Sequence, residues 1–121
     1  MARSLCVLVD RGPYGGIQVA EALRHAMGAL GKGWEVVLAL TGDSVLAALP
    51  GQSPPTGEWL PLSQALPEFI ATGKGRAAVL IEEQALKTRG IRQPDLIPGS
   101  RIAALGEIAQ ALVQSDRALI F

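Results

Sequence analysis

Two adjacent carboxylates, Glu82 and Glu83, end an apolar run in the middle of the chain. The run Val79–Ile81 is typical of a buried strand, and the helix-like segment after it closes on Arg89 and Gly90. In an open α/β sheet the ligand crevice lies beyond the carboxyl ends of the strands. If this run is an interior strand, Glu82 therefore stands where a general base or a polar pocket residue would act.

The same carboxylates also have a structural interpretation, which we favour. Acidic side chains are common in the first turn of a helix because they complement the partial positive charge of the helix N-terminus. In that case the substitution Glu82→Ala costs roughly 0.3–1 kcal/mol of stability. A pocket residue predicts instead that Glu82→Ala abolishes ligand binding and leaves stability nearly unchanged.

A second polar segment, residues 10–16, follows the first apolar run, Leu5–Val9. This glycine-rich loop leads into a helix, and a helix N-terminus is a natural anion site. The loop lacks the Walker and dinucleotide-binding patterns, and its glycines are better explained by the turn and by close helix packing. Phosphate or nucleotide binding stays a hypothesis. The candidate cleft residues from both segments and from the second strand exit are Asp10, Arg11, Tyr14, Asp43, Glu82 and Glu83.

The only thiol and the only imidazole, Cys6 and His25, both have structural explanations. Cys6 lies in the middle of the first apolar run, and a free cysteine usually packs as a small buried hydrophobe. We therefore expect no persulfide on Cys6 in the folded protein. His25 is explained by a solvated pair with Glu21, one helical turn earlier. No His, Cys and carboxylate cluster has metal-ligand spacing, so the sequence predicts neither a metal site nor a cofactor.

Strands that alternate with helices position these residues. The alternation predicts one α/β domain over residues 1–121, with three layers and a mainly parallel five-stranded sheet. The predicted strands are Leu5–Val9, Trp34–Leu40, Ala77–Ile81, Ser100–Ala104 and Ala118–Phe121. The predicted helices are Ile17–Leu30, Leu62–Ala71 and one that starts at Leu105. A further short helix is predicted to end at Leu49, with residues 41–44 as its possible N-terminal cap.

Helical spacing also predicts which residues of the first and last helices are buried. In the first helix the predicted stripe is Ile17, Ala20, Leu23, Met27 and Leu30. In the last helix it is Leu105, Ile108, Ala109, Leu112 and Val113.

Composition favours an oligomer. Hydrophobic residues make up 49% of the chain and charged residues 18%, against a usual charged share of about 25%. So small a chain has little charge to cover its surface, and some apolar surface is expected to meet another subunit. Trp59, in a proline-rich segment, is the interface candidate, with core cover as the equal alternative for it and for Trp34.

Charge and hydropathy exclude other classes of protein. The net charge is zero and no basic stripe is present, which argues against a nucleic-acid partner. No apolar window reaches the roughly 18 residues of a membrane span. A single cysteine agrees with a reducing compartment, so we expect a cytoplasmic protein.

Four motifs, in this order along the chain, resemble one known family. They are Gly12-Pro13-Tyr14-Gly15, then Asp43-Ser44-Val45 with Leu49-Pro50-Gly51-Gln52, then Arg89-Gly90-Ile91, and finally Ile97-Pro98-Gly99 with Ser115-Asp116-Arg117-Ala118-Leu119-Ile120-Phe121. With them the chain resembles the DsrE/DsrF-like sulfur-relay family over nearly its whole length. The second motif is similar to the DsrF/TusC branch.

The resemblance implies a five-stranded α/β domain that assembles into trimers or hexamers. Active members of the family carry sulfur as a cysteine persulfide, eight residues before the glycine of the Arg-Gly turn. Counted back from Gly90, that position holds Glu82 in this chain. A carboxylate accepts hydrogen bonds but cannot carry sulfane sulfur, so the family's chemistry is not expected at this position.

These observations predict a non-catalytic or regulatory subunit of a homo- or hetero-oligomer, with DsrE-like paralogues as possible partners. The alternative is a small-ligand or anion-binding module, or an enzyme, that uses the cleft at the carboxyl ends of the strands. A third possibility is a homo-oligomer whose ligand is unknown.

Overall fold

Five short segments form one sheet in the computed structural model, which describes residues 3–14, 16–51 and 62–121. The strands are β1 (Ser4–Val9), β2 (Glu35–Leu40), β3 (Ala77–Glu82), β4 (Arg101–Ala103) and β5 (Arg117–Ile120). Their order across the sheet is β4-β3-β2-β1-β5, and every neighbouring pair is parallel. The predicted α/β class and five-stranded sheet are therefore confirmed, and β3 is an interior strand.

The α-helices are α1 (Gln18–Gly31), α2 (Leu62–Gly73), α3 (Glu83–Thr88) and α4 (Leu105–Gln114). Two 3₁₀ helices, Gly42–Ala48 and Gln93–Asp95, complete the elements of the described residues. The first 3₁₀ helix stands where a capped short helix was predicted, but the Thr41 hydroxyl caps no helix N–H. It donates instead to the Val9 carbonyl, as does the hydroxyl of Ser44. Within the described residues, no helix has the length and apolar character to cross a membrane.

The main core lies between the sheet and the helices α1 and α2. Alternate residues of β1 and β2 point into it and meet Phe69 and Leu66 of α2, all of them buried. The predicted stripe of α1 is partly wrong, because Ile17 is 66% exposed and Met27 is 37% exposed. Smaller residues of α1 face the core in their place, and their size lets the helix lie close to the strands. The buried residues of α1 are Val19, Ala22, Leu23, Ala26 and Leu30.

The opposite face of the sheet carries a much smaller core under α4. Its buried members are Ala39, Leu80, Ala103 and Ile108. The predicted stripe of the last helix is confirmed only at Ile108, which is the one buried residue of α4, and is wrong at Val113, which is 84% exposed. In the described residues, α4 is the only helix on this face, so no other helix of that part of the chain covers the rest of its stripe.

The strand order decides where a ligand crevice would open. The chain builds β1 to β4 in one direction across the sheet and then crosses back to place β5 on the far side of β1. The topological switch point therefore lies between β1 and β5, beside the loop that follows β1. Glu82, at the end of β3, lies two strands away from β1 at the same edge.

Candidate functional site at the carboxyl edge of the sheet

The backbone of Gly42 brings together three strand exits. Its N–H donates a 3.0 Å hydrogen bond to Oε1 of Glu82, the last residue of β3. Gly42 has a φ of +54°, and a Cβ atom there would lie 3.3 Å from the carbonyl oxygen of Asp10. Both the left-handed backbone and the close approach require glycine. The carboxylate of Glu82 thus tethers the β3 exit to the β2 exit.

Glu82 occupies the N-cap position of α3 without capping it. Its backbone is extended, and its side chain bonds none of the N–H groups of α3. The carboxylate instead stabilises the first residue of the 3₁₀ helix that follows β2. Sequence spacing placed Glu82 correctly at the strand end, but its partner lies 40 positions earlier in the chain.

Asp43 forms an ion pair with Arg89, a residue that was not among the candidate cleft residues predicted from the sequence. Its Oδ1 accepts a 2.5 Å hydrogen bond from Nη2 of Arg89, and Nη1 of the same arginine donates to the Ala85 carbonyl. Arg89 ends α3 and precedes Gly90, whose φ is +67°. The Arg-Gly pair was visible in the sequence as a turn, and its basic member could have been paired with an acid at a neighbouring strand exit.

Glu83 points away from this group. It lies in the first turn of α3, and its carboxylate is 3.7 Å from the ammonium of Lys87, one helical turn later. Such an exposed i, i+4 pair is common on a solvated helix face.

The loop after β1 forms a separate, shallow depression. Asp10 and Arg11 make an exposed ion pair at 3.8 Å, and the Tyr14 hydroxyl accepts a 3.3 Å hydrogen bond from the Leu62 N–H at the start of α2. Arg11 and Tyr14 line a depression of about 230 Å³ with Gly12, Gly16 and Gln18. Asp10, Asp43 and Glu82 do not line this depression. Trp59 lies outside the described residues.

The lone thiol is buried in the sheet. Cys6 is fully buried in β1, and burial raises the pKa of its thiol to about 11. The imidazole Nδ1 of His25 lies 2.8 Å from the Glu21 carbonyl oxygen, and its ring packs against Phe121 with 5.2 Å between ring centroids. Over the described ranges, no three His, Cys, Asp or Glu side chains are grouped so that they could hold a metal ion.

The carboxyl edge therefore offers acceptors and an ion pair. The Glu82 carboxylate accepts from the Gly42 N–H, and the Asp43 carboxylate is paired with Arg89. The Asp10 carboxylate lies 3.8 Å from the guanidinium of Arg11. This arrangement can fix the strand exits and can accept hydrogen bonds. It presents no nucleophilic sulfur.

Comparison with known proteins assigns the fold and its relatives. The model of the DsrE/DsrF-like family matches residues 3–121. The chain is 30% identical to the uncharacterised protein MJ0989 of Methanocaldococcus jannaschii, over 95% of this chain and 96% of that protein. It is also 30% identical to the uncharacterised protein MK0008 of Methanopyrus kandleri, over 97% of this chain and 93% of that protein.

Two solved structures share the architecture over their full lengths and that of this chain. The ychN protein from E. coli superposes with a TM-score of 0.84 at 30% identity. MTH1491, a protein of unknown function from Methanobacterium thermoautotrophicum, superposes with a TM-score of 0.77 at 10% identity, which supports the fold alone.

Proposed function

Because the chain belongs to the DsrE/DsrF-like family, we propose that it is a non-catalytic or regulatory subunit of an oligomer, accessory to intracellular sulfur relay. In this proposal it works in the cytoplasm and carries no sulfane sulfur itself. Its partners are further copies of the chain or cysteine-bearing DsrE-like paralogues. The Asp43-Ser44-Val45 motif, which opens the 3₁₀ helix after β2, supports a place in the DsrF/TusC branch.

The observation that carries the proposal is the side chain at the end of β3. The family resemblance places a persulfide cysteine there, and this chain has Glu82, whose carboxylate is held by the Gly42 N–H. Sulfane-sulfur transfer needs a thiolate as the nucleophile. The carboxylate takes the place of that group and fixes two strand exits instead.

The state of Cys6 supports the same conclusion. Its side chain has no exposed surface, and its raised pKa of about 11 keeps the thiol protonated near neutral pH. A protonated thiol without solvent contact cannot attack a sulfur donor.

The exposed apolar surface supports the role as a subunit. Val113 of α4 and Ile120 of β5 are 84% and 72% exposed. Ile120 pairs in register with Leu8 of β1, which packs against the small core under α4. Apolar side chains on one face of a domain are typical of a contact with another subunit.

Incubation with inorganic polysulfide tests the absence of sulfur chemistry. A thiolate that attacks polysulfide gains one sulfur as Cys–S–S⁻ and releases a polysulfide one sulfur shorter. We expect mass spectrometry to detect no added sulfur on the folded chain and one added sulfur on the same chain in denaturant. A persulfide on Cys6 of the folded protein would contradict the proposal.

A designed thiol at position 82 tests whether the position itself is suited to sulfur. The double variant Cys6→Ala, Glu82→Cys places the only thiol beside the Gly42 N–H, and we expect it to accept sulfur from polysulfide. The matched control is Cys6→Ala, Glu83→Cys, whose thiol lies one residue further, on the exposed side of α3. Faster reaction at position 82 supports the family site, whereas equal rates argue that position 82 is not special.

The alternative, a small-ligand or anion-binding module at the carboxyl edge, rests on the depression beside Arg11 and Tyr14. Arg11, the cation that lines it, is already paired with the Asp10 carboxylate at 3.8 Å, and that carboxylate disfavours an anion there because like charges repel. Titration with inorganic phosphate, followed by NMR of the loop amides, tests it. Saturable shifts confined to residues 10–18 would favour the alternative.

A further inference from the structure

An unassigned groove lies at the opposite, amino end of the sheet. It runs between the C-terminal half of α1 and β5 and has a volume of about 460 Å³. Its walls include Leu5 at the start of β1, Trp34 just before β2 and Arg117 at the start of β5. Small-molecule sites usually measure about 300–1,000 Å³, so this groove has the size of one.

The floor of the groove is apolar. Leu5, Ala29 and Leu119 supply aliphatic surface, and Trp34 adds an aromatic wall whose ring also carries the guanidinium of Arg3, 5.8 Å from the ring centroid. Such a floor suits the hydrocarbon or aromatic part of a ligand.

The rim of the groove carries positive charge that no carboxylate of the described residues neutralises. Among the groove's cations, Arg24 is bound to Glu21 at 2.7 Å. Lys32 and Arg117 have no carboxylate within ion-pair distance in the described part of the chain. Arg117 donates only to the Asp116 carbonyl, while the Asp116 carboxylate accepts from Ser4. Two unpaired cations therefore stand beside an apolar floor.

A glycine inside α1 keeps the groove open. Gly28 has an ordinary helical backbone, and a Cβ atom there would meet nothing within 4 Å. Neither a turn nor close packing within this chain requires glycine at this position, and glycine in a helix interior costs roughly 1 kcal/mol relative to alanine. The open space over Gly28 is the space of the groove itself.

We propose that this groove binds an amphipathic organic anion, a carboxylate with an acyl or aryl body. The anionic head pairs with Lys32 and Arg117, and the apolar body lies on the floor over Gly28 and against Trp34. The groove selects for a ligand that has both parts. A purely apolar ligand leaves Lys32 and Arg117 without a partner, and an inorganic anion leaves the apolar floor uncovered. The groove lies at the opposite end of the sheet from Glu82, so the two proposals succeed or fail separately.

Octanoate and 1-octanol, used below the concentrations at which they self-associate, test the proposal on the full chain. The substitution Trp59→Phe leaves Trp34 as the only tryptophan and makes its fluorescence the reporter of the groove. We expect a saturable response to octanoate and a response to octanol weaker by about tenfold or more, because the charge-assisted hydrogen bonds are lost.

Three variants in this background locate the site. Gly28→Leu fills the groove with a better helix former, and we expect it to fold and to lose octanoate binding. Its control is Gly106→Leu, at an equally open glycine of α4. The double change Lys32→Gln, Arg117→Gln weakens binding about tenfold or more, and Lys87→Gln, on α3, leaves it unchanged.

Each other result overturns the proposal. No saturable response, an equal response to octanol, or unchanged octanoate binding in Gly28→Leu shows that the groove does not bind such an anion. If the parent chain binds no octanoate and Gly28→Leu changes the oligomeric state, another copy of the chain covers the groove, and the ligand proposal fails.

Discussion

The two faces of the sheet are built to different degrees of completion. On one face, α1 and α2 bury alternate residues of β1, β2 and β3 in a continuous core that includes Phe69. On the other face, α4 buries only Ile108 over a core of three further residues. Apolar side chains on this second face stay in contact with solvent, among them Val113 and Ile120.

The difference separates the apolar residues that fold the chain from those that stay exposed, which the proposed oligomer would cover. Parallel strands normally need cover on both faces. The first face receives that cover within the chain, and the second receives it only in part. Substitutions of similar chemistry should therefore act on the stability of the chain when made on the first face, and on its assembly when made at the rim of the second.

The largest expected effect is that of Phe69→Ala on the first face. Phe69 is fully buried among the helices and strands, so its loss removes apolar contacts and leaves a cavity. We expect the free energy of unfolding to fall by about 3–5 kcal/mol. Urea denaturation measures it, with Val113→Ala as the exposed control. A loss below about 1 kcal/mol would show that this core is loosely packed.

The next effect concerns Cys6, whose side chain points to the second face by the alternation of β1. Its pKa is about 11 in the folded chain, against 9.0 for a cysteine thiol that is not buried. The unfolded chain releases the proton first as pH rises, so the contribution of Cys6 to stability is constant below pH 9 and is lost between pH 9 and pH 11. Two pKa units correspond to a loss of about 2–3 kcal/mol at most.

Denaturation as a function of pH measures this loss, with Cys6→Ala as the control in which the cysteine-linked component is absent. If the parent chain and the control lose stability in parallel from pH 9 to pH 11, water reaches Cys6. The second face of the sheet would then be more accessible to water than the full burial of Cys6 indicates.

A similar or smaller effect is expected for Ile108→Ala, the one buried side chain of α4. The surrounding core is small and can relax into the vacated space, so we expect a loss of about 2 kcal/mol, at the low end for such a substitution. Urea denaturation at low protein concentration separates it from assembly. A loss as large as that of Phe69→Ala would mean that α4 contributes as much to folding as α2.

The smallest effect on the chain itself is expected for the double change Val113→Asp, Ile120→Asp. Both side chains are exposed, so the free energy of unfolding of a single chain should change by no more than about 0.5 kcal/mol per site. We expect the oligomer, however, to dissociate, because charges would be buried in its contact. Size-exclusion chromatography with light scattering measures the mass.

The control for that experiment is Ile17→Asp, an equally apolar and exposed position before α1. It should leave the assembly intact. A parent chain that is monomeric, or an assembly that the control disrupts equally well, would contradict the assignment of the second face to association.

Elements that depend on neighbours in the sequence were predictable. The apolar runs of β1, β2 and β3 appear as strands within a few residues of their predicted bounds, and Gly33, with a φ of +87°, follows the end of α1. Period and turn chemistry are local properties, which is why they can be read without a structure.

Partners across the fold were not predictable in the same way. Glu82 was placed at a strand exit, but its hydrogen bond to Gly42 and the pairing of Asp43 with Arg89 depend on which strands are adjacent. Which side of α1 faces the sheet, and how much of the predicted stripe of α4 is exposed, likewise depend on what each helix packs against.

The sequence by itself determined the α/β class, the family and the presence of a carboxylate where the resemblance expects a thiol. The tertiary structure alone decided that this carboxylate binds a backbone amide of the neighbouring strand exit. It also decided that, among the described residues, one face of the sheet is only partly covered and that two cations without an ion-pair partner line an apolar groove. The reason is physical: patterns along the chain record which residues prefer burial, whereas strand order and helix placement decide which of them obtain it.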